Sequence, residues 1–111
     1  MPGELARYNT AMSAAPTSLP PTSLPGGRIS LHTLQEMKQR AQPVAMLTAY
    51  DYPTAKILAA SGVHILLVGD SAATTVLGAD STIKATFDFL LTLTEAVRRG
   101  APNLFLMADM P

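Results

Sequence analysis

Cysteine is absent from the 111 residues. That excludes disulfides, thiolate metal sites and a cysteine nucleophile, and it fits a reducing compartment. Charge is scarce. Asp, Glu, Lys and Arg make up 14% of the chain, against about a quarter in ordinary globular proteins. Eight basic and eight acidic residues cancel, so nothing in the balance favours nucleic acid or an anionic membrane as a partner. No apolar run reaches the roughly 18 residues that a membrane-spanning helix needs. The first 27 residues lack the apolar core of a signal peptide. With one Arg and one Glu they also match an Arg-rich transit peptide poorly, which speaks against a mitochondrial location. There is no G-x-G-x-x-G, P-loop, H-E-x-x-H or nucleophile elbow.

What is present divides in two. Residues 1–27 are rich in Ala, Pro, Thr, Ser and Gly, and Pro16-Thr17-Ser18-Leu19-Pro20 repeats at once as Pro21 to Pro25. Proline at that density blocks helix and sheet ladders, so this segment reads as a disordered tail. Residues 28–111 read as the one folded unit. An apolar-rich, charge-poor chain of this length suggests much surface meant to be covered by something else.

Thr33 and Glu36 are spaced as a capping box, predicting a first helix over about 33–40 with Leu34 and Met37 on its apolar face and Gln42-Pro43 as its break. Val44 to Ala49 has the length and apolarity of a strand buried on both faces. Asp51 and Pro53 suit a helix start, and Gly62 a helix stop. Val63 to Val68 reads as the second strand. Residues 72–85 show no period and read as loop. Thr86 caps a third helix with Leu90, Leu93 and Val97 on one face. Arg98 and Arg99 suit its negative end, and Gly100 stops it. Leu104 to Ala108 is the third strand. The order, a helix followed by β-α-β-α-β, predicts a parallel sheet with right-handed crossovers. Three such strands fit either a doubly wound sheet or part of a barrel, and both put chemistry at the carboxyl ends of the strands. A complete barrel needs about 250 residues, so the chain is expected to be a fragment truncated after its third strand.

Asp51, Asp70 and Asp109 each fall just after a strand. In a parallel sheet those ends share one side, with neighbouring strands about 4.8 Å apart. Two carboxylates there repel unless a cation sits between them or one is protonated. An all-oxygen site of that kind suits Mg²⁺. An Asp in this position also caps the following helix. The pattern leaves both alternatives open for Asp70 and Asp109 and favours capping for Asp51. Ser71 is placed either to donate to a substrate carboxylate or to bond the local backbone. Asp80, Ser81 and Thr82 read as turn residues. Tyr50 and Tyr52 stand near the first strand, as packing or pocket residues. His64 lies at the far end of the second strand, away from the carboxylates.

Five stretches, TAYDYP (48–53), VGDS (68–71), VLGADST (76–82), AVRRGAP (96–102) and ADMP (108–111), occur in an order and spacing that resembles the ketopantoate hydroxymethyltransferase family. The resemblance runs from about Ile29 to Pro111. It implies the N-terminal β-α-β-α-β portion of a (β/α)8 TIM barrel, with the initial helix covering the barrel's lower end. It also implies a homo-oligomer, often a decamer. The activity implied is transfer of a hydroxymethyl group from 5,10-methylenetetrahydrofolate to 3-methyl-2-oxobutanoate, giving 2-dehydropantoate for pantothenate and coenzyme A synthesis. By the same resemblance Asp70 and Asp109 bind Mg²⁺, and Ser71 joins them in binding the 2-oxo acid. The metal would act as a Lewis acid on the 2-oxo acid. The family's substrate lysine, glutamates and proposed base fall beyond Pro111, so no catalytic residue is expected within these 111 residues and the chain alone is expected to be inactive. Ala72 to Thr75, Ala79 and Lys84 depart from the family pattern, all in the loop over the site. Two competing readings remain. One is a Mg²⁺-dependent relative of phosphoenolpyruvate mutase and isocitrate lyase, against which ADMP and VLGADST speak. The other is a non-catalytic chain that folds only on a partner, motivated by the exposed edge of the third strand.

Overall fold

The computed structural model describes residues 27–111, so the expectation of a disordered tail falls almost wholly outside the described residues. Helix α1 (Leu31–Gln39) leads to strand β1 (Met46–Thr48), then α2 (Tyr52–Ala60), β2 (Ile65–Val68), a single-turn α3 (Ala72–Thr75), a 3-10 turn at Thr82–Lys84, α4 (Phe87–Gly100) and β3 (Phe105–Ala108). The strands form one sheet in the order β1-β2-β3, and both pairings are parallel, as the alternation predicted.

Local chemistry explains most boundaries. Asp51 accepts from Thr54 N–H at 2.8 Å and from the Thr54 hydroxyl at 2.9 Å, which starts α2. Ser61 ends that helix, and Gly62 at φ 87 takes the left-handed turn that follows. Thr86 accepts from Phe89 N–H and starts α4.

Helix α1 begins earlier than predicted. Its N-cap is Ser30, and the box closes with Thr33, whose side chain accepts from the Ser30 backbone. A hydroxyl does the work usually given to a carboxylate, which frees Glu36 to approach His32 at 3.6 Å instead. Met37 is buried and Leu34 packs on the core, as expected. After Arg40 the chain turns through Ala41 at φ 53, so the helix stops before Gln42-Pro43 rather than at it.

Three further expectations differ from the structure. Strand β1 is not buried on both faces. Met46 and Leu47 are about half exposed (49% and 48%), because β1 is an edge strand of the described sheet with a neighbour on one side only. Residues 72–85 are not all loop. Ala72 and Ala73 are fully buried and cluster with Ala85 and Leu90, and a turn of four residues is too short to show a helical period. Gly100 does not stop α4 from outside. It is the last helical residue, and a Cβ there would lie 2.6 Å from the Tyr52 carbonyl oxygen and 2.9 Å from Ala55 Cβ. Its bare Cα lets the end of α4 lie directly on the start of α2.

The main core lies between the sheet and these helices, around Ala55, Leu66, Val68 and Val97. Leu66 and Val68 come from the central strand and Val97 from the predicted apolar face of α4. The 3.6-residue pattern of that helix and the apolar run of β2 therefore meet in one place. Burying each such side chain is worth about 1.5–3 kcal/mol.

Two substitutions test these backbone assignments. Gly100→Ala, which forces α2 and α4 apart, should lower stability by about 1–3 kcal/mol. Ala41→Gly, which relieves a Cβ in the left-handed region, should raise it by up to about 1 kcal/mol. Denaturant unfolding followed by circular dichroism reads both.

Candidate functional site

The parallel register places Val68 opposite Ala108. One further ladder bond, from Asp109 N–H to the Val68 carbonyl at 3.0 Å, carries the pairing to the last residues before the strands part. Gly69-Asp70-Ser71 and Asp109 therefore leave the sheet side by side. The Asp109 carboxylate turns back across the gap, and its Oδ2 accepts the Asp70 N–H at 3.0 Å over a separation of 39 positions. This is not a helix cap. It is a contact between two strand ends.

Gly69 makes that approach possible. It is buried, and a Cβ on it would lie 3.3 Å from Asp109 Oδ2 and 3.4 Å from Ser71 Oγ. The carboxylate and the hydroxyl thus converge over the same bare Cα. Asp70 is half-buried and Asp109 exposed. Among the described residues the ion pairs are His32–Glu36, Asp80–Lys84 and Glu95–Arg99, and none of them includes Asp70 or Asp109. No group of three or more His, Cys, Asp or Glu side chains stands ready for a metal among the described residues. What exists is the Asp109 carboxylate bonded to the Asp70 backbone, with the Ser71 hydroxyl beside it.

Ser71 occupies the N-cap position of α3, yet its side chain makes no capping bond. Its hydroxyl is hydrogen-bonded to the Tyr50 hydroxyl. Tyr50 follows the buried Ala49 at the carboxyl end of β1, where the Ala49 N–H still bonds the Leu67 carbonyl at 3.0 Å. The Tyr50 ring packs on both apolar clusters. All three strand ends therefore contribute to one place. The sequence places Tyr50 as a packing or pocket residue and does not link it to Ser71. The signal is its position, two residues past β1 on the side that carries the aspartates.

The other candidates separate cleanly. Asp51 is a cap. Asp80 pairs with Lys84 at 2.8 Å, and Ser81 accepts from Ile83 N–H, both inside the turn. His64 Nδ1 accepts from Ala45 N–H at 3.1 Å and ties the entry of β1 to that of β2. At that same amino-terminal side of the sheet, a cleft of about 330 Å³ opens between Arg28, Ser30, Arg98 and Phe105. Burial, with the like charge of Arg28 adding to it, lowers the pKa of Arg98 below the ordinary guanidinium value. Arg98 is not simply complementing the end of α4. It donates to the carbonyls of Pro102 and Leu104 and so braces the turn into β3.

Gly69→Ala tests the convergence. The backbone tolerates alanine there, but the new Cβ crowds Asp109. Hydrogen exchange at the Asp70 amide should speed up about fivefold, the factor for one lost hydrogen bond, with the rest of the sheet unaffected.

Residues 28–111 match the family described as Ketopantoate hydroxymethyltransferase. Similar curated proteins carry the name 3-methyl-2-oxobutanoate hydroxymethyltransferase. One from Geobacillus sp. (strain WCH70) is 55% identical over 76 residues, covering 68% of this chain and 27% of that protein. One from Bacillus subtilis (strain 168) is 51% identical over 76 residues, with the same coverage. One from Mycobacterium avium (strain 104) is 43% identical over 107 residues, covering 96% of this chain and 38% of that protein. The chain thus spans between 27% and 38% of the length of these relatives. A mixed α/β unit with a small parallel sheet, matched along residues 28–111, belongs to the ketopantoate hydroxymethyltransferase family.

Proposed function

We propose that this chain supplies the metal- and oxo-acid-binding strand ends of a ketopantoate hydroxymethyltransferase built on a (β/α)8 barrel. The observation that carries this reading is the convergence of the Asp109 carboxylate and the Ser71 hydroxyl over Gly69, with Asp70 beside them. It occurs at the carboxyl ends of parallel strands, where barrel enzymes place their chemistry.

The donor set suits Mg²⁺. That ion takes one or two carboxylates and leaves other positions to water and substrate. Asp70 and Asp109 would hold it. When bound, it supplies positive charge that offsets the negative charge developing on the keto oxygen of a 2-oxo acid. The other roles fall to the chain itself. The Asp70 N–H holds the Asp109 carboxylate in place through one of its oxygens, leaving further acceptor capacity on both. Ser71 donates a hydrogen bond to the substrate carboxylate. Gly69 keeps the floor of the site low enough for a ligand to reach the backbone.

The transfer itself removes the proton on C3 of 3-methyl-2-oxobutanoate and joins that carbon to the methylene carbon of 5,10-methylenetetrahydrofolate; water supplies the hydroxyl oxygen, both folate N–CH2 bonds break, and tetrahydrofolate leaves with the C3 proton and one water proton on its two nitrogens. No residue of this chain is assigned as the base that takes the proton. Helix α1 is assigned to the lower end of the barrel. The supporting contact is the bond from Ile29 N–H, just before α1, to the Asn103 carbonyl at 2.7 Å, near the start of β3. The whole enzyme is proposed to be a cytoplasmic homo-oligomer.

Isothermal titration of the chain with 3-methyl-2-oxobutanoate and Mg²⁺ tests this. Asp70→Asn and Asp109→Asn should each weaken metal-dependent binding by more than about tenfold, since even outer-shell changes at metal sites reach that size. Asp51→Asn, which alters only a cap, should leave binding unchanged. Equal binding by all three variants would refute the assignment.

A further inference from the structure

We propose that Tyr50 is a positioning residue that aims the Ser71 hydroxyl at an oxyanion of the bound 2-oxo acid. The inference rests on the metal and oxo-acid reading above and extends the site to the third strand end.

A serine at an N-cap ordinarily spends its side chain on the helix. Ser71 does not. Its backbone is held separately, because its carbonyl accepts from the Thr74 and Thr75 hydroxyls at 2.9 Å each. The side chain is therefore free to serve something else, and its partner in the structure is the Tyr50 hydroxyl, 21 positions away. A phenol is a stronger acid than an alkyl alcohol, so Tyr50 is the better donor of the two. With the phenol donating, Ser71 Oγ is the acceptor and its own proton remains available for a second bond. A hydroxyl that accepts one hydrogen bond is polarised to donate another, which favours an anionic acceptor.

The geometry fixes where that acceptor would lie. Ser71 Oγ stands over Gly69, on the same side as Asp109 Oδ2. A carboxylate oxygen of a 2-oxo acid bound through a cation at the two aspartates would fall within that space. Packing of the Tyr50 ring on two separate apolar clusters immobilises the phenol, and an immobile donor is what orientation requires. An alternative is that the Tyr50 hydroxyl simply satisfies itself in a half-buried place. That alternative predicts lost stability without lost affinity.

A double-mutant cycle separates the two. The 111-residue chain and its Tyr50→Phe, Ser71→Ala and doubly substituted forms are titrated with 3-methyl-2-oxobutanoate in saturating Mg²⁺, and their thermal unfolding is recorded. Tyr50→Phe keeps the ring and its packing, so the fold is retained. Tyr50→Phe should weaken oxo-acid binding about fivefold and Ser71→Ala about tenfold or more. The double variant should bind no more weakly than Ser71→Ala, because Tyr50 acts only through that hydroxyl. Mg²⁺ binding without the oxo acid should be unchanged in all. Full affinity in Tyr50→Phe, or losses that multiply in the double variant, would overturn the role of Tyr50 while leaving the aspartate assignment intact. Absence of oxo-acid binding by the unsubstituted chain would overturn both.

Discussion

Pairing of β2 with β3, in the register that sets Val68 opposite Ala108, governs both the packing and the site. A slip of one residue would turn Leu66 and Val68 off the core, since neighbours on a strand face opposite ways. The same slip would move Asp109 away from the Asp70 N–H that it now bonds. Core and site are thus held by one constraint. The apolar side chains that α4 and α2 bury against β2 are what keep two aspartates close together at the strand ends. Gly69 and Gly100 serve this arrangement in the same manner: each removes a side chain where backbone and a neighbour must meet.

Much of this was legible in the residues. Alternation of apolar strands with capped helices pointed to a parallel α/β sheet, and the apolar face at Leu90, Leu93 and Val97 is the face that packs. Asp51 reads as a cap and is one. Boundaries were less legible where two signals compete. Ser30 and Thr33 share a capping spacing that Thr33 and Glu36 also show, and the hydroxyl pair prevails. The buried turn at Ala72 and Ala73 had no period to display. The exposure of β1 follows from its neighbours, which an apolar run does not specify.

The site was legible in part. Asp70, Ser71 and Asp109 could be placed after strands by pattern, and the ordered motifs from TAYDYP to ADMP matched the family to which the chain belongs. The direction in which each side chain turns could not be read. Whether Ser71 bonds its own loop or reaches across the sheet depends on where Tyr50 arrives, and that depends on the parallel placement of β1. The residue types announce the chemistry, and the long-range register decides which partner each one meets.

Proton–nitrogen correlation spectra recorded during a titration with Mn²⁺, a paramagnetic ion that accepts the same oxygen ligands, test the central claim most directly. The amide signals of Gly69, Asp70, Ser71 and Asp109 should broaden first, and 3-methyl-2-oxobutanoate should sharpen the selectivity. Signals at the amino-terminal side of the sheet, such as Ser30 and Leu104, should persist. Broadening centred on Asp51 or Asp80, or no broadening at the β2 and β3 ends, would contradict the assignment of Asp70 and Asp109 as metal ligands.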